Sequence, residues 1–94
     1  MEEKYNFKLS ADEFEFLHRL ATNDEMLADL LRHHQGTVER FTLVLCLSWT
    51  AAEELRERLT IHLAEIGFDE EYLPNEQGRR LENLIDKFYI PERT

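Results

Sequence analysis

Tyr5, Phe7 and Leu9 alternate with Asn6, Lys8 and Ser10. A period of two predicts a strand with one buried face. Ser10 and Glu13 then have the spacing of a capping box, and Leu9 and Phe14 that of a hydrophobic staple, so a helix is expected to open at once. Its apolar face collects Phe14, Leu17, Leu20 and Ala21, with Phe16 at the edge and Glu15 and Arg19 spaced to pair on the far side. Thr22 and Glu25 repeat the capping spacing, which predicts a break and a shorter second helix carrying Met26, Leu27, Leu30 and Leu31. Gly36 is expected to stop it.

The alternation returns more strongly between Arg40 and Trp49. Phe41, Leu43, Leu45, Leu47 and Trp49 share one face of this second strand, and Thr42, Val44, Cys46 and Ser48 share the other. Thr50 and Glu53 form a third capping pair, opening a helix whose inward face is Ala52, Leu55, Leu59, Leu63 and Ile66. Gly67 is expected to close it in the left-handed conformation, with Phe68 touching Leu63 as in a Schellman motif. An acidic connection leads to a last helix from about Asn75, with Leu81, Leu84, Ile85, Phe88 and Tyr89 on one face and Pro91 ending it.

The order β-α-α-β-α-α describes a small two-layer α+β domain, helices on one face of a two-stranded sheet, with residues 1–94 read as a single compact domain. A shift of 38 positions aligns Tyr5, Phe7, Leu9, Ser10, Glu15 and Leu17 with Leu43, Leu45, Leu47, Ser48, Glu53 and Leu55. Each half is therefore a strand feeding a helix. A helical connection serves parallel and antiparallel strands alike, so the pattern leaves their direction open. Two strands alone make a marginal sheet, and the expectation is a homodimer that completes it.

Composition supports a packed fold. Of 94 residues 43% are hydrophobic, and only 3 are Gly and 2 Pro, which excludes a disordered acidic tail. The net charge of −9 distributes as −4, −2 and −3 over residues 1–35, 36–66 and 67–94. Such an evenly negative surface repels phosphate backbones and anionic lipid, so the expected partner is a protein, with no nucleic acid and no membrane. The first residues lack the basic start and apolar run of a secretory signal, and Cys46 is the single cysteine, so a cytoplasmic location is expected.

Candidate chemistry is thin. His33 and His34 are adjacent and point about 100° apart on a helix, which suits the final carbonyls better than a shared metal. His18 and His62 fall beside apolar positions and read as partly buried histidines. Cys46 lies mid-strand, away from the settings that activate a thiol, and no Gly-rich phosphate loop exists. Asp69, Glu70 and Glu71 lack the alternation and central glycine of a calcium loop. No catalytic residue, metal or cofactor is therefore expected.

Surfaces carry the functional expectation instead. Phe16, Val44, Cys46, Trp49 and Ile61 are apolar residues pushed outward or to an edge and form the candidate interface set; Val44 and Cys46 beside Asn6 and Lys8 would make a flat patch. Asp69, Glu70, Glu71 and Tyr72 form a candidate acidic docking loop. The function expected is that of a non-enzymatic, self-associating interaction module. The alternative is an acidic inhibitor of antitoxin, immunity or DNA-mimic type that neutralises a basic protein.

Overall fold

The computed structural model describes residues 3–39 and 42–90, the side chains of 35–39 excepted. Arg40, Phe41 and Pro91, assigned above to a strand start, a buried position and a helix stop, lie outside those residues. The elements are β1 (Lys4–Ser10), α1 (Ala11–Ala21), α2 (Glu25–His34), β2 (Gln35–Glu39), β3 (Thr42–Ser48), α3 (Trp49–Ile66) and α4 (Glu76–Lys87). The α+β class and the β-α-α-β-α-α order hold, with one addition: β2 lies along the second edge of β3. The sheet thus has three strands in the order β1-β3-β2. No helix among the described residues is long and apolar enough to cross a membrane.

The chain divides into two units, Met1–Ala51 and Ala52–Thr94. In the first, β1 runs antiparallel to β3, and the register places Leu9 opposite Leu43, Phe7 opposite Leu45 and Tyr5 opposite Leu47. Facing residues of an antiparallel pair share a side, so the two alternating patterns merge into one apolar face. Leu9, Leu43, Leu45 and Leu47 are buried there. Each such leucine contributes about 1.5–3 kcal/mol relative to exposure. β2 also runs antiparallel to β3, pairing Gln35 with Leu45 and then Val38 with Leu43, so a bulge interrupts its register.

Helices α1 and α2 pack on β1 and β3. Ser10 caps α1 as expected: its hydroxyl accepts from Glu13 N at 3.2 Å, while the Glu13 carboxylate accepts from Ser10 N at 3.0 Å. The later caps differ. Leu27 N donates to Asp24 Oδ1 at 3.1 Å, so the buried Asp24, not Thr22, opens α2; Thr22 ends α1 and donates its hydroxyl to the His18 carbonyl. Ser48, not Thr50, caps α3, accepting from Ala51 N at 3.1 Å. Trp49 is consequently the first residue of α3 rather than the last of a strand. In α2, Leu27 and Leu31 are buried whereas Met26 is exposed. The helix ends at His34, two residues before Gly36, and passes directly into β2.

In the second unit Ala52, Leu55 and Leu59 of α3, Leu81 and Leu84 of α4, and Phe88, which caps the end of α4, are buried. Two expected inward residues, Ile66 and Tyr89, are exposed instead; Tyr89 lies beneath the Arg56 guanidinium, whose carbon stands 5.2 Å from the ring centre. Gly67 does follow α3, but no described glycine has positive φ, so a Schellman ending does not account for it. Backbone proximity does. A Cβ on Gly67 would sit 3.1 Å from Gly78 Cα and 2.6 Å from the Leu63 oxygen. Asn75 fastens the same junction, accepting from Gly78 N and donating to the Ile66 carbonyl, both at 2.8 Å.

Candidate functional site

β3 is the central strand, and its second face alternates with the buried leucines. Thr42, Val44, Cys46 and Ser48 are half-buried on that side. The register sets Val44 opposite Lys8 and Cys46 opposite Asn6, which assembles the expected patch from two strands distant in sequence. Its apolar pair lies on the central strand and its polar pair on the β1 edge, an arrangement of apolar centre and polar border. Among the described residues β1 has a strand neighbour on one side only, β3, which makes it an edge strand.

The other candidate residues are dispersed. Trp49 follows Ser48 at the end of β3 and is 38% exposed. Ile61 is outward on α3 in the second unit, with Glu57, Ala64 and Glu65 exposed around it. Phe16 is a correction. With 6% exposure it belongs to the core, because packing of α1 on the sheet takes in the edge of the helix and leaves Phe14 half-buried.

The acidic connection is an ordered turn. Asp69 Oδ1 accepts from Glu71 N at 2.8 Å and Leu73 N at 3.0 Å, while Asp69 N donates to the Leu73 carbonyl at 2.9 Å. Asp69 therefore shapes the loop, an Asx role, and Glu70, Glu71 and Tyr72 are the residues it presents. Tyr72 adopts φ 62°, a left-handed conformation unfavourable for a bulky side chain, and is 86% exposed. Phe68, at the start of the turn, and Leu73, next to Tyr72, are exposed as well.

Histidine chemistry is local. His33 Nδ1 lies 2.7 Å from the Asp29 carbonyl, at the end of α2 where an imidazole N–H meets the last turn. His18 stacks on Phe14, ring centres 6.1 Å apart at 23°. His62 is half-buried on α3. Among the described residues no three His, Cys, Asp or Glu side chains gather in a set able to hold a metal.

No protein-family model, curated protein or solved structure matches this chain. One feature escaped the sequence pattern: a cleft between α1 and α2 lined in part by Phe14 and His18. Their spacing of four residues on one helix was the available signal.

Proposed function

We propose that the protein is a non-enzymatic interaction module that self-associates as a homodimer through the second face of its sheet. The supporting observation is the register that sets Val44 and Cys46, half-buried on the central strand, against Lys8 and Asn6 on β1. A two-fold axis over β3 would lay this patch on its own copy, burying the two apolar side chains at the centre and leaving the polar pair at the border. Three strands of five to seven residues form a small sheet, and covering its second face adds apolar burial.

The test is size-exclusion chromatography of Val44→Asp beside the unchanged protein. A carboxylate at the centre of the contact meets its symmetry mate there, so the variant elutes as a single chain while its circular dichroism stays that of the parent. Co-elution of the variant with an unchanged dimer would place the contact elsewhere.

A second reading rests on the turn that holds Tyr72 outward between Glu71 and the exposed Leu73. In this reading the loop binds a basic protein, with Tyr72 as anchor and Glu70 and Glu71 setting a salt-sensitive association. A pull-down whose captured basic protein is lost from Tyr72→Ala, and is released by high salt from the parent, supports it. Unchanged capture by Tyr72→Ala removes it.

A further inference from the structure

The cleft between α1 and α2 has a volume of about 340 Å³. Its apolar walls come from Phe14, Ala21, Ala28 and Leu31, and the two alanines keep the space open because neither side chain reaches across it. The polar lining comes from three residues, His18, Thr22 and Arg32. The Thr22 hydroxyl is already donated to the His18 carbonyl at 3.2 Å. Donors to an incoming molecule are then the His18 ring and the Arg32 guanidinium. Arg32 is also paired with Asp29, but a guanidinium carries five N–H groups and one carboxylate does not exhaust them.

Charge makes this arrangement selective. The chain holds 20 Asp and Glu against 11 Lys and Arg, yet no Asp or Glu is among the described residues lining the cleft. Asp29 stands beside the mouth as the partner of Arg32, and the His18 ring and the Thr22 hydroxyl accept as well as donate, but the remaining guanidinium N–H groups are the charged donors there, which suits an apolar body ending in an anion. A flat ring suits the Phe14 wall, since aromatic faces prefer offset or edge contacts. The geometry points to a binding site for a small aromatic carboxylate, its ring between α1 and α2 and its carboxylate at Arg32 and His18. This site is independent of the sheet face used for self-association.

The experiment is an NMR titration of the full chain, following backbone amides, with 3-phenylpropionate and with its uncharged counterpart 3-phenylpropan-1-ol. The expected result is saturable shifts confined to residues 14–32, with an affinity for the acid in the millimolar range of about 1–5 mM for so small a ligand. The alcohol binds roughly 3- to 10-fold more weakly, as loss of a charge-assisted contact at an exposed guanidinium implies. Arg32→Gln, a change at an exposed side chain, brings the acid to the affinity of the alcohol and leaves the alcohol unaffected. Absence of saturable shifts in residues 14–32, equal binding of acid and alcohol, or an unchanged acid affinity in Arg32→Gln overturns the proposal.

Discussion

Gly78 and Gly67 meet backbone to backbone: a Cβ on Gly78 would stand 2.9 Å from the carbonyl carbon of Gly67 and closer still to its oxygen. Gly78 lies in the first turn of α4, where alanine would otherwise be favoured by about 1 kcal/mol. Here the methyl has backbone in its way, and backbone does not swing aside as a flexible side chain does. Gly78→Ala is therefore expected to lower stability by about 1–3 kcal/mol despite the gain in helix propensity. Thermal unfolding checks it, with roughly 4–8 °C of Tm for each kcal/mol in a domain of this size. A Tm equal to or above that of the parent would show that the two helices separate at no cost.

The caps give a second, separable expectation. Asp24→Ala leaves the Leu27 amide without its partner at the start of α2, and Ser48→Ala does the same to Ala51 at the start of α3. Each change is expected to cost about 1 kcal/mol in urea unfolding, more at Asp24 because that carboxylate is buried. Asp24→Asn retains an acceptor oxygen and should recover most of the loss. Failure of the asparagine to rescue would assign the buried carboxylate a role other than capping.

Tyr72 offers a change in the opposite direction. Its φ of 62° costs an L side chain about 1–2 kcal/mol, and at 86% exposure the ring returns little burial in exchange. Tyr72→Gly removes the backbone strain but adds flexibility to the unfolded chain, so a net change between zero and about +1 kcal/mol is expected. Tyr72→Val, β-branched and confined to the same φ, is expected to destabilise. Matched denaturant curves for the two variants decide the point; a Gly variant weaker than the Val variant contradicts the strain.

The strands were legible because period two survives any tertiary context: Leu9, Leu43, Leu45 and Leu47 stand in one alternating register and are the residues buried. Capping spacing is weaker information. Thr22 with Glu25 and Thr50 with Glu53 fit the pattern, yet Asp24 and Ser48 stand closer to where packing starts each helix. The 38-residue shift that pairs Ser10 with Ser48 held the correct cap for α3, since both residues end a strand and accept from the amide three positions on. β2 escaped notice because its bulge between Gln35 and Val38 breaks the alternation that would announce it. Gly67 and Gly78 are eleven positions apart and their approach is tertiary, which no local pattern encodes.

Within the candidate site the same division holds. Val44 beside Lys8 and Cys46 beside Asn6 followed from two alternating patterns brought together, and the antiparallel register was the single missing fact. Phe16 at a wheel edge was undecidable between core and surface until the packing of α1 placed it inside.

Sedimentation equilibrium of the unmodified chain over a dilution series at micromolar concentrations tests the self-association most directly. A species of twice 11.3 kDa that dissociates on dilution is expected, and a single chain throughout for Val44→Asp. A mass of 11.3 kDa at every concentration for the unmodified protein would contradict it.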